Sequence, residues 1–329
     1  MQAKISVLFF LLLFTYISQA QTDKWKYFDK SNSGLPTNMI RAVIQDKYKN
    51  YWIATWNDGL VKYDGKTWKV FNTKNSKLPN NEIYCITFDK KENLWIGTFG
   101  GGVAKFDCKK KWTVYNSKNS GLPNDWIYTI AFDKKSNVWI GTYSEGLAIF
   151  NQKKKWTVYN SFNSLLPINK VTAIYIDKDD NKIIGTADHI IFIQNNVWKT
   201  EAEVNYKTDE GAIYWIEPFT GDKVLMCYKF GSIVIYNGKT FKVFNNTNSD
   251  LPFLGFYSVT HDKKNIIWAG SFGQGVVHLE GEHWKLFDKS NSGLKDDLVF
   301  TVFVDSNNNK WFCTYYAGIC IYNEDGVKF

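Results

Sequence analysis

One feature constrains this chain more than any other: a tryptophan-led unit that returns seven times at nearly constant spacing. The units begin at Trp25, Trp68, Trp112, Trp156, Trp198, Phe241 and Trp284, so successive starts lie 43, 44, 44, 42, 43 and 43 residues apart. A period of this length marks a repeat architecture, in which each unit buries its apolar face only against its neighbours. The unit starting at Trp112 holds four β-patterned runs, Trp112–Tyr115, Ile127–Phe132, Val138–Thr142 and Leu147–Phe150. They are rich in aromatic and β-branched residues, and the stretches between them carry the Gly, Pro, Asn and Asp of tight turns. Four strands per unit predict an all-β fold, a seven-bladed β-propeller of four-stranded antiparallel blades. A solenoid would need a shorter unit, and helical repeats would show a 3.6-residue period.

Chain order predicts how the ring closes. The chain opens on a lone W-x-x-F strand at 25–28 and ends after the third strand of the seventh unit, at 319–322. The first strand can therefore serve as the missing outer strand of the last blade and leave no open edge. Residues 327–329 imitate a truncated outer strand, either competing with it or flanking it.

The residues before Trp25 have another character. Lys4 followed by an apolar run from Val7 to Ile17, with Ser18-Gln19-Ala20 before Gln21, reads as a secretory signal peptide cleaved after Ala20. That leaves 21–329 as the propeller and predicts a periplasmic or secreted protein. No later run approaches the roughly 18 apolar residues of a membrane helix, so no membrane insertion is expected. Aromatic residues make up 17% of the chain at fixed spacing, the filling of a large core. The net charge of +8 is spread over turns, with tight clusters only at 109–111 and 153–155, which argues against nucleic acid as a partner. A monomer is expected. Five cysteines (Cys85, Cys108, Cys227, Cys313 and Cys320) form no metal-type spacing. Cys313 and Cys320 fall on strands joined by a short turn, where they could lie opposite each other, and are read as buried thiols.

The segment L-P-N-D-W-I-Y-T-I-A-F-D-K-K-S-N-V-W-I-G-T-Y-S-E-G-L-A-I-F, from Leu122 to Phe150, resembles the two-component regulator propeller repeat. Segments 78–106 and 35–63 match as well, and 294–322 matches with W-F-C-T in place of W-I-G-T. The resemblance covers essentially all of 21–329. It implies the propeller fold and a ligand-sensing ancestry, since such propellers commonly form periplasmic sensors of hybrid histidine kinases that recognise polysaccharide breakdown products. The sequence shows neither a second propeller nor a kinase, so the resemblance implies no signalling output within these residues.

Candidate contact residues follow from the repeat. In each blade the turn between the second and third strands opens on the channel face, and its first residue reads Trp56, Phe99, Tyr143, Ala187, Tyr228, Phe272 and Tyr315. Six of these are aromatic, a collar flanked by polar residues that vary from blade to blade, among them Asp58, Glu145, Asp188 and His189. Flat rings beside varied polar groups suit a sugar ring or a peptide, because they bury apolar area at small entropic cost. The same rings could instead pack between blades and touch no ligand. The residue entering the inner strand supplies a second ring, of which Glu82, Trp126 and Lys170 stand on consecutive blades. The second-strand tryptophans (Trp52, Trp95, Trp139, Trp268 and Trp311) read as core.

The expected function is therefore capture of a glycan fragment, peptide or protein loop on the channel face. No cofactor, metal or catalytic group is assigned. Asp177-Lys-Asp-Asp-Asn and Asp305-Ser-Asn-Asn-Asn superficially resemble calcium loops, but the Gly and closing Glu of an EF-hand are missing, and both read as turns. The rival readings are a divergent lyase or hydrolase of the streptogramin-lyase kind, using Glu145, Asp188 and His189, and a scaffold with protein partners alone. One histidine on the channel face, without a nucleophile or second base beside it, makes no acid–base machine.

Overall fold

The computed structural model describes residues 24–204, 211–252 and 255–329; the signal peptide expected at 1–20 lies outside them. Seven four-stranded antiparallel sheets form the ring. In each of the first six blades the strands follow one another from the channel outwards. In the first blade these are Ile40–Gln45, Tyr51–Thr55, Leu60–Tyr63 and Trp68–Phe71. The seventh blade takes its outer strand from the start of the chain: Trp25–Phe28 pairs antiparallel with Ile319–Tyr322, Trp25 opposite Tyr322 and Phe28 opposite Ile319. The expected closure and all four strand ranges of the third unit are observed. Residues 327–329 form no strand but flank the seam, with Phe329 5.8 Å from Phe28 and 5.9 Å from Trp311.

The core lies between blades. Trp52, Leu60 and Phe71 of the first blade pack with Leu78, Ile83, Leu94 and Phe106 of the second, and six further clusters seal the rest of the ring. The glycine of W-I-G-T makes this approach possible. A Cβ on Gly97 would lie 2.5 Å from Cys85 Sγ and 2.7 Å from Ile127 Cγ2 of the next blade.

The recurrent aspartate and tryptophan form one structural device. Asp89, ending the inner strand, accepts backbone N–H bonds from Lys91 and Asn93 and the indole N–H of Trp95 at 3.0 Å. Asp46–Trp52, Asp133–Trp139, Asp262–Trp268 and Asp305–Trp311 repeat it. The second-strand tryptophans are thus core, each with its one polar atom engaged. The Asp177 and Asp305 loops are the same turn: Asp177 accepts from the backbone of Asp179 and Asn181, Asp305 from Asn307 and Asn309.

Cys313 and Cys320 do not face each other. Cys313 stands opposite Ile319 and Cys320 opposite Phe312, a one-residue offset that sends the two thiols to opposite faces of the sheet. Both are buried and free, and burial pushes the Cys320 thiol up to about 12. No helix among the described residues is long and apolar enough to cross a membrane.

Candidate ligand-binding channel face

Each blade delivers two side chains to the axis by local rules. The collar residue is fixed at the tip of the second strand, where its N–H donates to the carbonyl of the residue entering the inner strand. Trp56 bonds to Met39, Phe99 to Glu82, Tyr143 to Trp126, Ala187 to Lys170, Phe272 to Gly255 and Tyr315 to Leu298. The two rings read from the sequence are therefore neighbours on one rim.

The fifth blade requires a correction. There Lys229, not Tyr228, donates to Ala212 and holds the collar position. Tyr228 takes the place that threonine or serine holds elsewhere, donating its N–H to Ser232 O, and its side chain is fully buried in the interblade core. It is excluded from the channel face by packing.

The collar rings are divided between packing and exposure. Trp56 stacks on Phe300 at 5.4 Å and meets Tyr315 edge-on at 6.3 Å; both collar rings are half-buried. Phe272 stacks on Tyr257 at 3.5 Å yet stays 37% exposed. The strongest grouping spans blades two to four. Phe99 stacks on Trp126 at 4.3 Å, Trp126 meets Tyr143 at 5.0 Å, and the Lys170 ammonium lies 5.1 Å from the Tyr143 ring. Trp126 and Tyr143 remain 40% and 38% exposed, so this ladder presents open ring area to solvent.

Its polar neighbours carry perturbed charges. Burial raises the Glu82 carboxyl; burial and the nearby Lys229 lower the Lys170 ammonium, against the pull of Asp188. Asp58 is half-buried, its backbone N–H bonded to Thr55 Oγ1. Glu145, Asp188 and His189 are exposed; Ser144 lies 3.5 Å from Glu145, while the charge of His189 acts on Glu201. Among the described residues no hydrogen bond or ion pair joins these three. Phe230 and Tyr316, one position beyond the collar in their blades, are 55% and 69% exposed and enlarge the aromatic rim.

An inner ring escaped the sequence reading. In all seven blades the inner strand skips its second residue in pairing, as between Ile40 and Ala42 or Ile83 and Cys85. Such a bulge re-aims the skipped side chain, here towards the axis. The skipped residues are Arg41, Tyr84, Tyr128, Thr172, Tyr214, Tyr257 and Phe300. Their side chains meet from blade to neighbouring blade around the axis: Tyr84 lies 4.5 Å from Tyr128, the Arg41 guanidinium 4.1 Å from Tyr84 and 5.0 Å from Phe300, and Tyr214 5.8 Å from Tyr257. Burial raises the Tyr84, Tyr128 and Tyr214 hydroxyls, and Tyr257 is pushed up to about 12. All are therefore neutral donors at physiological pH. Beneath this ring a chamber of about 610 Å³ runs towards the opposite face, bounded by inner strands of several blades. A signal for the ring was present: the residue after each apolar strand entry is polar or aromatic.

The channel, its aromatic rim and the Asp–Trp clamp define a repeat-built β-propeller with a concave channel face. The two component regulator propeller model matches residues 34–57, 77–100 and 121–144, one segment in each of three successive repeats. Among solved structures, the extracellular domain of a hybrid two component system from B. thetaiotaomicron is 20% identical with a TM-score of 0.77, covering 92% of this chain and 42% of that one. The chain thus spans about two fifths of the length of that relative. Virginiamycin B lyase from Staphylococcus aureus is 12% identical, TM-score 0.73, covering 91% of this chain and 99% of the enzyme. YCF48 bound to D1 peptide is 13% identical, TM-score 0.66, covering 91% of this chain and 95% of that one. At these identities the likeness is one of fold. No curated protein sequence matches the chain.

Proposed function

We propose that this chain is an exported, sensor-like binding propeller that captures a glycan fragment, peptide or protein loop on its channel face. The ladder Phe99–Trp126–Tyr143 with Lys170 carries the reading. Phe99 stacked on Trp126, with Tyr143 edge-on beside them and two of the three rings open to solvent next to a cation, offers an aromatic corner for a flat apolar face with polar edges. Glu82, Asp58, Glu145, Asp188 and His189 add acceptors around it, and Trp56, Phe272 and Tyr315 continue the rim. The extracellular domains among the structural neighbours support a periplasmic or secreted location, and one neighbour is named with a bound peptide. The reading takes the chain as a monomer without a nucleic-acid or membrane partner.

The test is a thermal-shift screen against oligosaccharides and peptides. A saturable rise in melting temperature, lost in Trp126→Ala and Tyr143→Ala proteins of unchanged fold, is expected. A rise that survives both substitutions would remove the ladder from the site. The lyase reading draws on the neighbour that matches along its whole length. It requires Glu145, Asp188 and His189 to act together, and turnover of a streptogramin abolished by His189→Ala would favour it over capture. A shift with a protein partner and none with small ligands would favour a scaffold.

A further inference from the structure

The chain has a single arginine, Arg41, among 40 lysines and arginines. It sits on the axis. Elsewhere every basic position uses lysine, a compact, strongly hydrated charge; arginine differs in presenting a rigid planar fork that grips a carboxylate or sulfate with two parallel bonds. The guanidinium is caged by Tyr84 at 4.1 Å, Phe300 at 5.0 Å, Trp56 at 5.8 Å and Tyr257 at 5.9 Å. No carboxylate pairs with it among the described residues, and its Nε is buried without an acceptor. The guanidinium is half-buried and hydrogen-bonds the neutral Tyr84 hydroxyl, so its charge faces the chamber without a counter-ion.

The acids that border the same chamber are engaged elsewhere. Asp262 is held by Trp268 and Lys310, Asp305 by Tyr51 and Trp311, and Glu217 by Thr260 at 2.6 Å and Trp215 at 2.9 Å. Around Arg41 the chamber is bordered instead by Tyr84, Tyr128, Tyr214 and Thr172, all hydroxyl-bearing. Its far end lies at the turns that carry Lys47, Lys90, Lys134, Lys178 and Lys263, all exposed, while the aspartates of those turns accept bonds from their own backbone. Of these lysines, Lys134 and Lys178 are paired with Asp179 and Asp222, so the uncompensated cation of the chamber is Arg41 rather than this end.

We propose that the chamber beneath the inner ring binds a small organic anion, with Arg41 gripping its carboxylate and the hydroxyls of Tyr84, Tyr128 and Tyr214 donating to its remaining oxygens. A volume of about 610 Å³ admits a ligand of sugar-acid size. This site lies inside the collar and touches it through Trp56, but it does not depend on the capture reading.

Because Arg41 is the sole arginine, its Nε–H gives one isolated signal in a nitrogen-15 correlation spectrum. Titration with acetate and with D-galacturonate should move that signal saturably, and D-galactose should leave it in place. By calorimetry, Arg41→Lys should weaken D-galacturonate binding at least ten-fold, and Tyr128→Phe, which keeps the ring, about five-fold for one lost hydrogen bond. Trp126→Ala should leave anion binding unchanged while removing the collar ligand, so the two sites fail separately. An Nε–H signal that no anion moves, equal binding of D-galactose, or full affinity in Arg41→Lys would overturn the proposal.

Discussion

Blade two and blade five solve the same problem with different residues. Blade two follows the repeat: Trp95 on the second strand donates its indole N–H to Asp89 at the end of the inner strand. In blade five both partners are gone. By strand register Leu225 stands where Trp95 does, opposite Glu217 as Trp95 is opposite Thr87, and Phe219 takes the place of Asp89. Losing donor and acceptor together leaves no orphaned polar group, and apolar replacements of similar shape can be nearly neutral. The fifth blade then builds a new indole–carboxylate pair on its inner strand alone, Trp215 to Glu217, facing the chamber. Blade five has replaced both halves of the interblade clamp, whereas blade four keeps the Asp177 turn and carries Ile183 in place of the tryptophan. The channel-side groups are where the blades are free to differ.

The largest expected effect breaks the clamp by halves. Trp95→Ala removes a fully buried indole and should cost about 3–5 kcal/mol. Asp89→Leu leaves the indole N–H buried without an acceptor and should cost about 1–3 kcal/mol. The blade-five solution, Asp89→Phe with Trp95→Leu, should cost clearly less in urea unfolding than Asp89→Phe and Trp95→Leu measured singly and added. Additive costs would show that the two residues act independently and that blade five is stable for some other reason.

A smaller effect separates the two neighbours that the repeat confuses. Tyr228→Ala should cost about 3 kcal/mol, as a buried ring in the interblade core. Lys229→Ala, at the rim, should change stability by no more than about 0.5 kcal/mol. It should also raise the Lys170 pKa, since Lys229 is one of the groups that lower it. Equal destabilisation by the two substitutions would put the collar back at Tyr228.

What could be read in advance divides along the same line. The tryptophan spacing, the turn residues between strands and the lone first strand were enough for fold, blade number and ring closure, because interblade packing repeats the same contacts seven times. The collar was legible wherever W-I-G-T or a near copy precedes it. It slipped by one in blade five, where that signature is absent, although Ile213 to Lys229 is the same sixteen-residue interval as Ile83 to Phe99. The inner ring was not read because simple strand alternation gives no sign of a bulge. With that bulge, Arg41 and its tyrosine neighbours point at the axis. The chamber was out of reach altogether, since it exists only where side chains from blades far apart in sequence meet.

Glu217 offers the finest test of how far blade five has departed from the repeat. Burial pushes its carboxyl from the ordinary 4.5 up to about 7, against the hydrogen bonds from Thr260 and Trp215 that favour the charged form. A raised folded-state value means that the native protein holds this proton between about 4.5 and 7 while the unfolded chain has lost it. Stability therefore falls as pH rises through that window and levels off above it. Glu217→Gln removes the titration and keeps an acceptor for one of the two donors. Its stability relative to the parent should improve by about 1 kcal/mol between pH 5 and pH 8, a discounted share of the full linkage because the chamber keeps some water at the carboxyl. Thr87→Gln, the equivalent position in blade two, should show no such dependence on pH. A Glu217→Gln difference that is flat from pH 5 to pH 8 would mean that the carboxyl is ionised at ordinary acidity, with the chamber open enough to solvate it.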